Sequence, residues 1–198
     1  MRLVLIRHAV TAETGKKLSG RLPGIPLSPE GIDAAWSVAA SLANMDIAAV
    51  YTSPIQRCRE TAAIIAAPLQ VKPRTVQGLV EVEYGAWSGR SLKSLYRLRL
   101  WKGLMADPTG FRFPQGETLE EVRARAVRTV RRLERTHSEE DTVVAVSHGD
   151  VIRSIAAHAL TQSVDVIHRL HVAPLGITVV ETSDKSGPRV TILNAPRL

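Results

Sequence analysis

Short apolar runs alternate along this chain with longer stretches in which apolar residues return every three or four positions. Residues 3–6 are apolar at every position and 142–146 at every position after Thr142, the pattern of strands buried on both faces inside a parallel sheet. Residues 47–52 and 71–76 predict two further short strands. Helical periodicity fills the intervals. Ser28, Pro29 and Glu30 suit an N-cap, a first turn and the positive end of a helix dipole, and Ile32, Ala35, Ala39 and Leu42 carry the stripe onward to about residue 44. Ser53, Pro54 and Gln56 read as a capping box opening a second helix that ends before Pro68. Residues 91–101, 117–136 and 149–159 predict three more helices. Weak alternation over 176–182 and 189–194, around the turn 183–188, predicts a closing antiparallel hairpin. Strands separated by helices give the α/β class: a three-layer α/β/α domain with a mostly parallel sheet and an antiparallel edge strand. Its 198 residues suit a single domain, with 85–116 as a lid over one end.

The polar positions matter most where the strands stop. The first strand runs into Arg7 and His8, the second into a helix whose first turn carries Arg57, and the fourth into Ser147, His148 and Gly149. In open α/β sheets, ligands bind beyond the carboxyl ends of the strands. Guanidinium groups and imidazoles gathered there suit an anion, phosphate above all. The loop over 10–27 offers Thr14, Ser19, Gly20 and Arg21, with Lys16 and Lys17, as further lining for such a site. Gly149 and the opening amides of the helix it begins allow close approach by the anion. His137, His158, His168 and His171 read as structural or surface residues. The arginines from Arg123 to Arg135 read as a solvated helix face, with pairs such as Glu121 and Arg125.

Composition narrows the classes. Apolar residues are 44% and charged residues 23%, near the globular average, which argues against disorder or a fibre. Apolar runs are strand-length, so no membrane span is expected, and the opening stretch is too brief for a signal peptide. One cysteine, Cys58, leaves no internal disulfide and makes the cytoplasm the simplest location. No Cys/His set has zinc spacing and no acidic loop is built for calcium, so neither metal nor other cofactor is expected. The formal charge of +7 invites nucleic acid, but aromatics are only 4% and no nucleic-acid motif is present. A phosphorylated small molecule accounts for the positive charge equally well. Exposed edge strands would permit a homodimer.

Taken in order, four blocks resemble the histidine phosphatase superfamily, also called the phosphoglycerate mutase-like family. Arg7-His8-Ala9 is similar to its opening Arg-His-Gly. Ser53-Pro54, with Arg57 and then Thr61-Ala62, is similar to its second block. Leu79, Glu81, Gly85, Trp87 and Gly89 match its acid loop, and Ser147-His148-Gly149 its Ser-His-Gly. The resemblance covers nearly the whole chain and implies a phosphoglycerate mutase-like fold. It implies His8 as a nucleophile that forms phosphohistidine, Arg7, Arg57 and His148 as phosphoryl contacts, and Glu81 as proton donor with Glu83 as the other candidate. Fixed donors would then do the work of a metal. Ala9 and Val10 depart from the family's usual residues, and Thr14 stands nearest where the family often has Asn.

Three activities fit these residues: hydrolysis of small phosphomonoesters, phosphoglycerate mutase chemistry through the same phosphohistidine, or a non-catalytic phospho-ligand-binding module. Mutases of the family tend to carry a longer insertion between the acid and the second histidine and a C-terminal tail that shields phosphohistidine from water. The resemblance, with a short interval from Glu81 to His148 and a chain that ends just past its last predicted strand, therefore implies hydrolysis as the expected activity.

Overall fold

The computed structural model describes residues 1–182 and 187–198; the predicted turn at 183–186 lies outside the described residues. Six strands form one sheet: β1 (Arg2–Arg7), β2 (Ile47–Thr52), β3 (Arg74–Thr75), β4 (Thr142–Ser147), β5 (Ile177–Glu181) and β6 (Arg189–Ala195). Their order is β3-β2-β4-β1-β5-β6. The helices are α1 (Pro29–Leu42), α2 (Gln56–Ala66), α3 (Leu92–Leu95), α4 (Arg99–Ala106), α5 (Leu119–Glu134) and α6 (Gly149–Ala159). Among the described residues, no helix is long and apolar enough to cross a membrane.

Alternation along the strands explains the layers. Leu3 and Leu5 of β1 face α5 and α6, while Val4 and Ile6 face α1 and α2. All four side chains are fully buried, each contributing roughly 1.5–3 kcal/mol. A slip of one residue in β1 would exchange its two buried sets between unlike helix layers, so the register that leaves Arg7 and His8 at the strand's exit is held firmly.

The predicted closing antiparallel hairpin does form, with β6 as the edge strand. β5 runs antiparallel to β1, and β6, antiparallel to β5, turns parallel again at the margin. Several elements differ from expectation, each for a local reason. The third strand shrinks from 71–76 to two residues, both exposed and paired only with the end of β2. Helix 91–101 breaks into α3 and α4 around Tyr96–Leu98, because Trp101 turns inward to stack on Trp87, ring centroids 5.8 Å apart. Thr118 and Glu121 form a capping box at the start of α5. Glu121 therefore faces Thr118 and Arg112 rather than Arg125. The capping box expected at Ser53 does not form. Ile55 occupies the N-cap of α2, and the Ser53 hydroxyl points elsewhere.

The segment 85–116 forms a cap over the carboxyl edge of the sheet. Trp87, Leu95, Leu104 and Phe113 are buried beneath it. Its two ends are cinched together: Ala86 N donates to Pro114 O at 2.9 Å, and Glu117 N to Glu83 O at 2.9 Å. Its root is stitched to the 10–27 loop through Leu18 N to Arg90 O and Leu92 N to Lys16 O, both 2.9 Å. At the neck, Gly85 has φ +52°, and a Cβ there would stand 2.1 Å from Pro114 O.

Gly85→Ala is therefore expected to cost about 2–3 kcal/mol, the sum of left-handed strain and a backbone clash. Gly24→Ala, at φ +73° with nothing within 4 Å of its Cβ, supplies the control for strain alone at about 1 kcal/mol. Thermal unfolding of both variants measures the difference.

Candidate active site

Parallel strands put their carboxyl ends at one edge, and adjacency brings the predicted residues together there. Arg7 pairs in register with Ser147 at the ends of β1 and β4, and His8 N donates to Ser147 O at 2.9 Å. Ser53 N, at the end of β2, donates to Val146 O at 3.0 Å. His8 and His148 consequently face one another, ring centroids 5.3 Å apart at 64°. Arg57, in the first turn of α2, reaches both of them.

The hydrogen bonds assign states to these groups. His8 Nδ1 lies 2.8 Å from its neighbour's carbonyl, Ala9 O, which can only accept, so Nδ1 carries the proton. Nε2 keeps its lone pair and accepts from Arg57 Nε at 3.1 Å. Burial, then the charge of Arg57, pull the His8 pKa down to about 3. The ring is thus neutral across the physiological range, with Nε2 as its exposed base. His148 is fully buried, and the same two causes hold its pKa well below the usual value. Its Nδ1 accepts from Arg57 Nη2 at 3.2 Å, and its Nε2 lies 2.8 Å from Ser53 Oγ. A hydroxyl can donate or accept, so Ser53 can serve either tautomer of His148.

The two arginines are anchored from behind. Arg7 Nη1 donates to Val172 O, and Arg57 Nη2 to Gly20 O, each at 2.8 Å. Arg7 Nε and Arg57 Nη1 are buried with no hydrogen-bond partner among the described residues. An orphaned, buried guanidinium N–H is costly, and an oxyanion placed between the two residues would satisfy both.

Glu81 lines the same cavity and is 8% exposed. Burial, then the nearby Asp150 carboxylate, raise its pKa to about 7. Its Oε1 accepts from Val82 N at 2.9 Å, and its Oε2 stands 3.7 Å from His148 Nδ1, beyond hydrogen-bond length. Glu83, two residues on, is outside the cavity lining. It points to Arg21 at 3.4 Å and to Gly85 N at 3.4 Å. A carboxyl half-protonated near neutrality, facing a neutral imidazole across an oxyanion seat, can deliver and retrieve a proton. The cavity holds about 510 Å³.

The other expected phosphate contacts divide. Thr14, Ser19 and Gly20 line the cavity. Thr14 Oγ1 accepts from Thr11 N at 2.9 Å, Ser19 Oγ donates to Glu13 at 2.8 Å, and Gly20, at φ +52°, gives its carbonyl to Arg57. Gly149 also lines the cavity, but a Cβ there would meet Arg7 Nε at an ordinary 3.6 Å, so the protein's own atoms do not demand glycine. Arg21 is the correction. It does not line the cavity, because two carboxylates outcompete any such role. It donates to Glu81 O and to Glu117 Oε2, each at 2.8 Å, and faces Glu83.

Arg125 works beside it and was not expected. Its guanidinium turns inward to Gly78 O, Val80 O and Glu81 O and pairs with Glu117 at 3.0 Å. Glu117 binds both arginines, so one carboxylate and two guanidinium groups fix the backbone that carries Glu81. Nothing in the periodicity distinguishes Arg125 from its solvated neighbours. Asp150 and Tyr84, joined at 2.6 Å in the cavity wall, likewise carry no signal in the sequence pattern. His168, expected to be structural, lines the cavity. Cys58 packs on His148, Sγ to Nε2 3.4 Å, and burial pushes its thiol up well beyond the reactive range. Among the described residues, no three His, Cys, Asp or Glu side chains are grouped to hold a metal ion.

A neutral imidazole between two partly unsatisfied guanidinium groups, at the carboxyl edge of a largely parallel sheet, defines an oxyanion-binding α/β protein. Residues 3–196 match the family model of the histidine phosphatase superfamily (branch 1), and the chain belongs to that family. It is 31% identical over 198 residues to a bifunctional protein of Mycobacterium tuberculosis, an alignment covering 98% of this chain and 53% of that protein. The chain therefore spans about half the length of such mycobacterial relatives. It is 28% identical over 163 residues to phosphoserine phosphatase 1 of Hydrogenobacter thermophilus, covering 78% of this chain and 74% of that one. The fold superposes on a phosphoserine phosphatase mutant of Entamoeba histolytica in complex with phosphoserine. The TM-score is 0.88 at 26% identity, over 98% of this chain and 97% of that one.

The buried ionisable groups tie stability to pH in opposite directions. His8, near 3 when folded against an ordinary 6.5, and His148, lowered likewise, refuse protons that the unfolded chain accepts, so stability falls as pH drops below about 6.5. Glu81, near 7 against an ordinary 4.5, binds a proton that the unfolded chain releases, so its contribution is lost as pH rises from about 4.5 to about 7. Two imidazoles outweigh one carboxyl. The protein is expected to be less stable at pH 5.5 than at pH 7, and Glu81→Gln is expected to steepen that fall. Urea unfolding of both proteins at the two pH values checks it.

Proposed function

We propose that this chain is a phosphohydrolase that takes the phosphoryl group of small phosphomonoesters onto His8 and passes it to water. One observation carries the reading. The unprotonated Nε2 of His8 stands among the partnerless N–H groups of Arg7 and Arg57, with a carboxyl of pKa about 7 in the same cavity. The phosphatase names of its relatives support hydrolysis over other uses of the same site.

In the first step the lone pair of His8 Nε2 attacks phosphorus in line, forming the N–P bond as the P–O bond to the alcohol breaks. Arg57 Nε must release His8 Nε2 as the phosphoryl group arrives, and it then faces a phosphoryl oxygen instead. Arg7 and Arg57 hold the equatorial oxygens. Arg57 Nη2 must likewise release His148 Nδ1 as it turns to the phosphoryl group; with Ser53 then donating to Nε2, Nδ1 carries the proton and makes a third contact. Protonated Glu81 gives its proton to the departing oxygen. In the second step its carboxylate takes a proton from water, which attacks phosphorus and breaks the N–P bond.

His8→Ala is expected to abolish both turnover of p-nitrophenyl phosphate and acid-labile labelling of the protein from a phosphoryl donor. Arg7→Ala or Arg57→Ala should lose at least about a hundredfold in kcat. Glu81→Gln should slow alkyl phosphates far more than p-nitrophenyl phosphate, whose leaving group needs little protonation, and should remove a decline in the wild-type rate above pH about 7. Isomerisation of 3-phosphoglycerate without release of phosphate would instead establish a mutase, and absence of any turnover a binding module.

A further inference from the structure

Beyond the oxyanion seat, the cavity changes character. The cap contributes Leu92, Tyr96, Trp101, Leu104, Met105 and Phe113, and Ile167 adds a further apolar side chain to the lining. Tyr96 and Met105 are 54% and 41% exposed at the mouth, apolar surface that a ligand would cover. The whole cavity, about 510 Å³, falls in the range of roughly 300–1,000 Å³ that holds drug-sized ligands. That is far more than a phosphoryl group on a three-carbon chain requires.

Arg153, Asp150 and Lys17, the charged side chains in this outer part, are already partnered. Arg153 Nη1 donates to Asp150 at 2.8 Å and its Nε to Leu170 O at 2.9 Å. Asp150 also accepts from Tyr84 and places a carboxylate in the wall. Lys17 pairs with Glu13 at 2.9 Å, and its side chain is 48% exposed. An ion pair gained at so open a position is worth at most about fivefold in affinity. Arg21, which could have met a substrate carboxylate, is turned away to Glu81 O and Glu117.

Resting on the phosphatase reading above, we infer that the alcohol this site releases is bulky and apolar, aromatic or alicyclic, and that carboxylate-bearing esters such as phosphoserine are poor substrates. The phosphoryl group enters between Arg7 and Arg57, and the alcohol lies against Trp101, Leu104 and Met105. Burial of its apolar surface supplies the selectivity. An amino-acid ester would bring a carboxylate into the same space and meet Arg153 and Lys17 already paired with carboxylates of the protein.

The test compares kcat/KM for 3-phenylpropyl phosphate, O-phosphoserine and 3-phosphoglycerate. The phenylpropyl and phosphoserine esters both leave as primary alkoxides, so leaving-group chemistry does not set their order. The phenylpropyl ester is expected to be favoured at least about tenfold, a difference of about 1.4 kcal/mol, expressed in KM. Met105→Lys, at a half-open position where a long charged side chain fits without disturbing the core, is expected to reduce that ratio at least about fivefold. A wild-type preference for phosphoserine or 3-phosphoglycerate, or an unchanged ratio in Met105→Lys, would overturn the inference while leaving the phosphatase reading intact. Failure to turn over even p-nitrophenyl phosphate would overturn the phosphatase reading itself, and this inference with it.

Discussion

Burial first, and then the charges of the two guanidinium groups beside them, leave the His8 and His148 imidazoles no place for a second proton. Arg7 and Arg57 act on His8 and His148 at close range in a site from which water is largely withdrawn, and there the repulsion is strongest. The neutrality of His8, and with it the availability of Nε2, follows from that arrangement. The arrangement needs rigid backing, because like charges would otherwise drift apart. Val172 O and Gly20 O provide it for the arginines, Ala9 O for His8 and Ser53 for His148. The same withdrawal from water acts oppositely on Glu81, whose neutral form it favours. One environment thus prepares a base that is unprotonated and an acid that is protonated, near the same pH.

The framework behind this was readable in the chain because its signals are local and repeated. Four apolar residues in β1 end on Arg7 and His8, and four in β4 end on Ser147 and His148. Hydrophobic period alone places both pairs at strand exits. Arg57 was legible for the same reason, as the first turn after β2. What periodicity cannot carry is where a long polar side chain goes once the backbone is in place. Arg21 and Arg125 both looked like solvent-facing or ligand-facing cations. Each is drawn instead to the backbone of 78–81 by Glu117, a residue distant in sequence from both Arg21 and Glu81. Ser53 followed a local rule for helix caps, and a buried imidazole from another strand competed for its hydroxyl and won. His168 shows no signal of its own, since only the fold of the cap gives it a cavity to line.

The cap follows a different logic. Its interior is aromatic, with Trp87 meeting Trp101, Phe111 and Phe113 at 5.5–5.8 Å between ring centroids. Such packing is worth more than its area alone, and it makes the roof a folded part of the domain in its own right. Two close backbone approaches, at Gly85 and Gly116, let it spring from a narrow neck. The sheet edge below is polar and the roof above is oily, so the cavity presents a phosphoryl ester with two unlike halves, matching the two unlike halves of such a molecule.

The stitching between the 10–27 loop and the root of the cap carries a mechanical consequence. Leu18 and Lys16 grip the cap's base, and a short way along the same loop Gly20 grips Arg57. Whatever tilts the roof at its base pulls on the Arg57 guanidinium at the oxyanion seat. Changes confined to α4 leave that tether slack. On the phosphatase reading proposed above, new alcohol preferences can therefore arise at the outer helix without retuning the chemistry, whereas changes at the hinge of the roof would be felt at His8.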